Sequence, residues 1–327
     1  MKGRSKYLLA ALIILASQTF GSTQNPSLKF NENGKFKIAQ FTDTHFNFGS
    51  EKSQVVLEMI NEVLDAEKPD LVILTGDIVT KEPVEKGWRT IVEPMVSRGI
   101  PWAVTLGNHD DEQDLNREQL ISLFQQIEMN CTVSGDKDVY GYGNYVLPIY
   151  NQNAEEVSAL IFGMDSNAYP TIEGVGDYGW FHSSQIEWYQ KTSIIWTKEN
   201  SGQPLPALAF FHIPLPEYHE AWKKGDMKSI GRKGEKVCSP VINTGMFAAM
   251  LKQGDIMGIF VGHDHVNDYI STMHGIALAY GRFSGGRDTY GKLKNGSRII
   301  ELTQNKRGFQ TWIRLRGGKM INKVVIN

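Results

Sequence analysis

The stretch Trp102-Ala103-Val104-Thr105-Leu106-Gly107-Asn108-His109-Asp110 decides the fold, because a short apolar run passes directly into four residues with metal-binding or loop-forming chemistry. An apolar run of this length, bounded by a turn signal, is typical of a strand buried on both faces. Four further polar clusters each follow a short hydrophobic run in the same way: Asp43-Thr44-His45, Gly76-Asp77, His212, and Gly262-His263-Asp264-His265. The chain therefore predicts five buried strands with polar residues at their ends.

Segments with apolar residues at helical spacing lie between these strands. The predicted strands span residues 36–41, 71–74, 102–106, 145–149, 157–164, 208–211 and 256–261, and the predicted helices span 53–67, 84–98, 117–127 and 184–197. We expect 145–149 and 157–164 to pair antiparallel. The tail from Arg298 to Val325 has β-type alternation and should complete a second sheet packed on the first. This alternation predicts an α/β fold whose sheets are covered by helices.

The polar clusters should converge on one crevice, because ligands of α/β sheets bind beyond the carboxyl ends of the strands. Together the clusters supply oxygen and imidazole ligands and no thiolate: Asp43, His45, Asp77, Asn108, His212, His263 and His265. This donor set is typical of a two-metal hydrolytic site. It predicts metal-assisted attack of water on phosphorus.

The order of these motifs resembles the calcineurin-like metallophosphoesterase superfamily over roughly residues 36–285. Three flanking stretches are similar to its purple-acid-phosphatase-related branch: residues 212–217, residues 238–245, and residues 262–268. The resemblance implies a four-layer α-β-β-α sandwich of two mixed β-sheets flanked by helices. It also implies hydrolysis of phosphate monoesters of small molecules by attack of a metal-bound hydroxide.

The resemblance assigns a role to each ligand. One metal would be bound by Asp43, His45 and His265, a second by Asn108, His212 and His263, and Asp77 would bridge the two. The implied ions are divalent or mixed-valence, with Mn, Fe and Zn as candidates. His109 would face the substrate as the catalytic residue that protonates the leaving oxygen or holds the phosphoryl group.

Thr80 departs from the family pattern. Purple acid phosphatases carry a Tyr at this position, three residues after the bridging Asp, and its bond to ferric iron gives their colour. The protein phosphatases of the superfamily carry an Asp there, which orients the catalytic His. Thr80 is poorly suited either to bind ferric iron or to orient the His. Asp110 is the residue we expect to support His109 instead.

Further residues are candidates for the substrate pocket. Beside Asn108 and His109, we consider His219 and Arg287 as substrate-binding residues. The alternatives are that His219 is a structural histidine and that Arg287 lies in a solvated glycine-rich loop. The aromatic loop with Tyr140, Tyr142 and Tyr145 forms either strand-edge packing or a lid over the site. Asp264 is expected to shape its loop rather than bind metal.

Two alternatives to a monoesterase remain open at this point. The same site could serve a phosphodiesterase or a nucleotide pyrophosphatase. An alternative of another class is a binding protein that keeps the fold without catalysis. Loss of ligands would mark that second class, and all seven ligands are present.

The amino terminus predicts export. Lys2, Arg4 and Lys6 precede the apolar run 7–16, and small polar residues follow, which is the pattern of a secretory signal. We expect a signal peptide at 1–24 and the phosphoesterase domain at 25–327, and hence a secreted or periplasmic protein. The alternative is an uncleaved membrane anchor, but the run is about half of the ~20 apolar residues that a spanning helix needs. No later segment is long and apolar enough to span a membrane.

Composition limits the possible partners. The chain has 327 residues, 41% of them hydrophobic, and a formal charge of -2, which becomes -5 without the three basic residues of the signal. This charge gives no indication of a nucleic-acid-binding surface. In an exported protein the two cysteines, Cys131 and Cys238, permit one disulfide, which we expect over two separate thiols.

Overall fold

The computed structural model describes residues 26–286 and 293–327. The predicted signal peptide and Arg287 lie outside these residues. The elements in chain order are β1 (Lys35–Phe41), α1 (Glu51–Glu67), β2 (Leu71–Thr75), α2 (Val84–Val96), β3 (Trp102–Thr105), α3 (Arg117–Phe124), β4 (Tyr145–Tyr150), β5 (Val157–Gly163), α4 (Ser183–Glu199), β6 (Ala207–Phe210), α5 (Glu217–Lys224), α6 (Met246–Gln253), β7 (Ile256–Val261), β8 (Ile270–Met273), β9 (Ile276–Tyr280), β10 (Gly296–Thr303), β11 (Phe309–Leu315) and β12 (Met320–Ile326).

The strands form two mixed six-stranded sheets. The first has the order β12-β11-β10-β1-β2-β3, and the second has the order β4-β5-β6-β7-β9-β8. In the first sheet β1, β2 and β3 are parallel, so their carboxyl ends share one edge. In the second, β5, β6, β7 and β9 are parallel. The five polar clusters follow β1, β2, β3, β6 and β7, which places them at the carboxyl ends of parallel strands.

Three apolar cores separate four layers. The first core packs α1, α2 and α3 on the outer face of the first sheet, and the second fills the space between the two sheets. The third packs α4, α5 and α6 on the outer face of the second sheet. Alternate residues of one strand serve different cores: Ala39 and Phe41 face the helices, whereas Ile38 faces the other sheet. The predicted four-layer sandwich is confirmed.

The predicted strands and helices all exist, with ends that shift by a few residues, and β4 and β5 pair antiparallel as expected. Four elements are additional: α5, α6, β8 and β9. The tail forms three strands, and β10 pairs antiparallel with β1. It therefore completes the sheet that contains β1, β2 and β3. In the described ranges, 26–286 and 293–327, no helix is both long and apolar enough to cross a membrane.

The predicted disulfide is wrong, because Cys131 and Cys238 are both free. Cys131 lies in the core between the sheets, where its backbone N–H donates to Trp102 at 2.7 Å. Cys238 lies in a loop beside the site, where its backbone N–H lies 3.3 Å from the Asp264 carboxylate. Each cysteine is thus fixed by a different part of the fold. Burial raises the pKa of each thiol to about 12.

Candidate metal centre

The backbone at the strand ends is strained. Four of the predicted ligands are non-glycine residues with positive φ: Asp43 at 53°, His45 at 42°, Asp77 at 54° and His263 at 75°. L-residues rarely adopt this conformation, which persists only where the surrounding structure enforces it. The chain turns sharply here and directs these side chains to one place.

The first group of candidate ligands contains Asp43, His45 and His265, whose ligand atoms all lie within 4.8 Å of one another. His45 Nε2 lies 3.1 Å from His265 Nε2, and His265 Nε2 lies 3.4 Å from Asp43 Oδ1. Asp43 is also held by its neighbours, because the Thr42 hydroxyl and the His263 N–H donate to its carboxylate. These atoms match the ligand set that the resemblance implies for one metal.

The second group contains Asp77, His212 and His263, which satisfy the same 4.8 Å limit. His212 Nε2 lies 3.3 Å from Asp77 Oδ2 and 3.3 Å from His263 Nδ1. His212 is completely buried, and its Nδ1 lies 2.8 Å from the carbonyl oxygen of Thr75. A hydrogen bond from Nδ1–H to this carbonyl leaves Nε2 as the ligand nitrogen, a common arrangement at metal sites.

Asp77 lies between the two groups. Its Oδ2 is 3.3 Å from His212 Nε2 in the second group and 4.0 Å from His45 Nε2 in the first. Its Oδ1 accepts the backbone N–H of His109 at 2.8 Å. The structure therefore places Asp77 where the resemblance puts the bridging carboxylate.

One buried polar atom indicates that the site fits a cation. Asn108 is 2% exposed, and its Oδ1 has no hydrogen-bond partner among the described residues. A buried polar atom without a partner is costly unless a ligand satisfies it. Together with two carboxylates and four imidazoles, this amide oxygen forms a donor set suited to a pair of metal ions.

The protonation of the histidines reflects their surroundings. Burial lowers the pKa of His45 to about 4 and that of His263 to about 3. Burial also opposes the charging of His212, but the attraction and the hydrogen bond of Asp77 outweigh it and raise the pKa of His212 to about 10. The proton on His212 thus balances the negative carboxylates. A bound cation would replace that proton, because ligand imidazoles are neutral.

Glycines precede the ligands because no Cβ fits beside the carboxylates. A Cβ on Gly107 would overlap Asp77 Oδ1 and lie 2.5 Å from the backbone nitrogen of Asp77. A Cβ on Gly262 would overlap Thr42 Oγ1 and lie 2.7 Å from Asp43 Oδ2. The strand ends therefore approach each other at backbone distance, which brings the two groups together.

Asp110 organises the main chain rather than supporting His109. Its carboxylate accepts the backbone N–H groups of Asp77, Ile78 and Gly107 at 2.8–2.9 Å. Burial, and then the nearby Asp77 carboxylate, raise its pKa to about 6. The expected support of the His109 ring by Asp110 is therefore wrong, because these three backbone bonds occupy its carboxylate.

Glu112 is the residue that contacts the His109 ring. Its Oε2 lies 2.7 Å from His109 Nδ1, and its Oε1 accepts the hydroxyl of Tyr169 at 2.5 Å. Thr80 contacts a different histidine, because its Oγ1 lies 3.4 Å from Nδ1 of His45. The sequence interpretation missed Glu112 and Tyr169. The spacing of Glu112, three residues after His109, was the only local signal for it.

Arg117 joins the two sheets beside the site. Its buried guanidinium donates to Asp165 Oδ1, which follows β5, at 2.8 Å and to the carbonyl of Gly107, which follows β3, at 2.5 Å. Its Nε lies 3.3 Å from Asp111 Oδ2. This buried arginine, also missed from sequence, fixes the loop that carries Asn108 and His109 relative to the second sheet.

The remaining predicted pocket residues lie in different places. His219 is exposed on α5, and its Nε2 lies 2.8 Å from Lys223 Nζ. Tyr145 is buried in β4, whereas Tyr140 and Tyr142 are about 40% exposed and line a cavity of about 860 Å³ that Tyr169 also borders. Asp264 accepts hydrogen bonds from Tyr280, Cys238 and Asn267, as expected of a loop-shaping residue.

Two aromatic residues at the candidate metal centre come from a loop that the sequence interpretation did not single out. Tyr169 and Tyr178 both lie between β5 and α4, and the Tyr178 ring meets that of His263 edge-on at 4.4 Å. This loop, rather than the one with Tyr140 and Tyr142, borders the ligands.

Residues 36–267 match the family model for calcineurin-like phosphoesterases. This match covers more than half of the chain, so the chain belongs to the calcineurin-like phosphoesterase family, as the order of its motifs predicted. It has the fold and the candidate dimetal ligand groups of a metallophosphoesterase.

Its curated relatives include members of the purple acid phosphatase branch. Probable inactive purple acid phosphatase 14 from Arabidopsis thaliana is 31% identical over 94% of this chain and 84% of its own length. Probable inactive purple acid phosphatase 29 from the same plant is 31% identical over 89% of this chain and 82% of its own length. Phosphatase DCR2 from Saccharomyces cerevisiae is 32% identical over 89% of the chain and 55% of its own length. The names of these relatives thus include both a phosphatase and proteins described as inactive.

Solved structures share the fold. A dimetal phosphatase from Danio rerio superposes with a TM-score of 0.62 at 12% identity, over 89% of this chain and 98% of that one. The purple acid phosphatase PPD1 from yellow lupin gives 0.55 at 11% identity, over 90% of this chain and 54% of that one. At such identities the likeness concerns the fold alone.

Proposed function

We propose that the protein is an exported phosphatase that hydrolyses phosphate monoesters of small molecules at a dinuclear metal centre of Mn, Fe or Zn. The observation that carries the proposal is the convergence of two ligand groups on Asp77, with Asn108 Oδ1 unsatisfied beside them. A chain that had become a binding protein would not need to keep all seven ligands in a strained, buried cluster.

The metal pair, when bound, would activate water and stabilise the negative charge of the phosphoryl oxygens. Seven side chains would hold the pair, and the backbone bonds to Asp110 connect the strand ends that carry them. It also fixes His109, because the backbone N–H of His109 is bonded to Asp77 while its imidazole is 41% exposed and free to reach a substrate. His109 would protonate the leaving oxygen as a general acid.

Export is supported by the basic and apolar segments at the amino terminus. The mature protein should then begin between Thr19 and Asn25. Intact-mass measurement of the protein recovered from the medium or the periplasm tests this directly. Retention of residue 1 would contradict cleavage without affecting the proposed catalysis.

The activity is tested with p-nitrophenyl phosphate beside bis(p-nitrophenyl) phosphate, each with Mn, Fe and Zn. The proposal expects a higher kcat/KM on the monoester. A higher value on the diester would favour a phosphodiesterase, and no turnover with any metal would favour the binding protein.

The role of His109 is tested by His109→Ala. This variant should keep both ions and lose about 10²–10⁴-fold in rate, the usual worth of general acid catalysis. The loss should be largest for alkyl phosphates, because p-nitrophenolate leaves without a proton. Equal losses on both substrates would indicate positioning or electrostatic stabilisation instead, and loss of metal would show that the ligands are wrongly assigned.

A further inference from the structure

The His109 ring belongs to a chain of three hydrogen-bonded side chains beside the candidate metal centre. His109 Nδ1 lies 2.7 Å from Glu112 Oε2, and Glu112 Oε1 lies 2.5 Å from the Tyr169 hydroxyl. Both oxygens of Glu112 are therefore occupied, one by each partner. We refer to these three residues as the Tyr169–Glu112–His109 chain.

The two ends of this chain come from different sheets. Glu112 follows β3 in the first sheet, and Tyr169 follows β5 in the second, 57 residues later. The ion pair between Arg117 and Asp165 ties the same two loops together at 2.8 Å. Glu112 thus has one partner in its own loop and one in a loop of the other sheet, and all three side chains are partly exposed, at 39% for Glu112, 41% for His109 and 47% for Tyr169.

Glu112 determines which nitrogen of His109 faces outward. Burial raises the pKa of Glu112, but the hydrogen bonds from Tyr169 and His109 outweigh it and hold the pKa below its usual value. The carboxylate is therefore ionised and can only accept hydrogen bonds. It requires Nδ1 of His109 to carry a proton, which leaves Nε2 as the nitrogen available to the substrate. As a general acid the ring must carry a second proton on Nε2, and this is the proton that passes to the leaving oxygen while Nδ1–H stays bonded to Glu112.

We propose that Glu112, fixed in turn by Tyr169, is the positioning residue that orients His109 for proton transfer to the leaving oxygen. This inference rests on the proposed phosphatase function and on the catalytic role of His109. The contact takes over the orienting task that residue 80 has in other members of the superfamily, because Thr80 here contacts His45 instead. Neither Glu112 nor Tyr169 touches the substrate in this proposal.

The kinetic test uses Glu112→Ala, Glu112→Gln and Tyr169→Phe. On alkyl phosphates Glu112→Ala should lose about 10–100-fold in kcat, the scale of one charge-assisted hydrogen bond. Glu112→Gln and Tyr169→Phe should lose less, because each removes only part of the contact. All three should retain wild-type metal content and a KM within about twofold of wild type, because uniform binding is unchanged.

Two comparisons separate positioning from a general structural effect. The losses should be smaller on p-nitrophenyl phosphate, following the same leaving-group pattern as His109→Ala. In the His109→Ala background, Glu112→Ala should cause no further loss beyond about twofold, because its effect passes through the missing ring. Glu118→Gln and Tyr142→Phe, which alter exposed residues outside the chain, serve as matched controls and should behave as wild type.

The tautomer of His109 gives a readout that does not need turnover. In metal-free protein labelled with ¹⁵N-histidine, with His109→Ala used for assignment, the wild type should show a protonated Nδ1 and a bare Nε2. Glu112→Ala should shift the proton toward Nε2. The inference is overturned if the wild type already carries its proton on Nε2, or if Glu112→Ala costs the same on both substrates and adds to His109→Ala. An inactive wild type with the expected tautomer would remove the proposed function while leaving the Glu112 contact established.

Discussion

Replacing Gly107 with alanine should displace the carboxylate of Asp77. The new Cβ would overlap Asp77 Oδ1 and lie 2.5 Å from the Asp77 backbone nitrogen, whereas ordinary van der Waals contact begins at 3.4 Å. To restore ordinary contact, the backbone that follows β2 and the backbone that follows β3 must move apart by about 0.9 Å. Rotation of a side chain cannot relieve it, because one of the two clashing atoms belongs to the main chain.

The shift has two measurable consequences. Overpacking of a rigid site costs about 1–3 kcal/mol of unfolding free energy, which urea denaturation measures. A displacement of about 1 Å at reacting groups can also lower the rate about 10²-fold. Since Asp77 lies between both ligand groups, Gly107→Ala should weaken the binding of both ions, as measured by elemental analysis after dialysis.

Gly202→Ala is the matched control. Gly202 has a positive φ of 79° and no atom within 4 Å of its added Cβ, and it precedes β6 at the opposite end of the strand from the ligands. Gly202→Ala should lower the unfolding free energy by about 1–2 kcal/mol, because Ala is strained in the left-handed conformation, and it should keep both ions. The reasoning would be refuted if Gly107→Ala bound two ions with wild-type affinity and had an unfolding free energy within about 0.5 kcal/mol of wild type. The close approach of the two strand ends would then not be what positions Asp77.

Four further predictions concern the site and its supports. Asp77→Ala should bind neither ion, and elemental analysis that shows one full equivalent would contradict the bridging role. The metal-loaded protein should show no strong visible band of the ferric-phenolate type, because Thr80 replaces the Tyr that gives purple acid phosphatases their colour; an absorption spectrum decides this. Arg117→Met should lower the unfolding free energy by about 3–5 kcal/mol, because it leaves Asp165 buried without its partner. The double variant with Asp165→Asn should recover part of this loss, and urea denaturation measures both. Protein that is denatured without reductant should yield two alkylatable thiols. If the mass of the alkylated protein showed no added groups, Cys131 and Cys238 would be joined in a disulfide after all.

The ligands could be predicted from sequence because each is attached to a local pattern. Apolar runs such as 71–75 and 256–261 identify buried strands, and a strand that is followed by Gly-Asp or Gly-His places those side chains at a known edge. The short elements were harder. The pair β8 and β9 is separated only by His274 and Gly275, so neither strand is long enough to show its own pattern. The pairing of β10 with β1 joins residues far apart in sequence, and no local periodicity encodes it.

The supports of the site could not be predicted for the same reason. Arg117 and Asp165 are 48 residues apart, and Tyr169 and Glu112 are 57 apart, so neither contact leaves a spacing signal. The role of Asp110 was misjudged because its neighbour in sequence, His109, is not its partner in space. Its carboxylate instead binds three backbone N–H groups from two strand ends. A motif can identify which residues meet at an edge, but the partners behind them depend on tertiary packing.

The departure at residue 80 removes the Tyr that bonds ferric iron in purple acid phosphatases and leaves the seven other candidate ligands in place. Thr80 lies 3.4 Å behind Nδ1 of His45 and can fix that ring, while Nε2 remains directed at His265. The orientation of His109 falls to Glu112 instead, from the other side of the centre. The proposed phosphatase would thus bind metal and transfer a proton without a Tyr or Asp at position 80. The seven candidate ligands and the carboxylate partner of His109 are the reasons for proposing hydrolysis here, although relatives at 31% identity are named as probable inactive purple acid phosphatases.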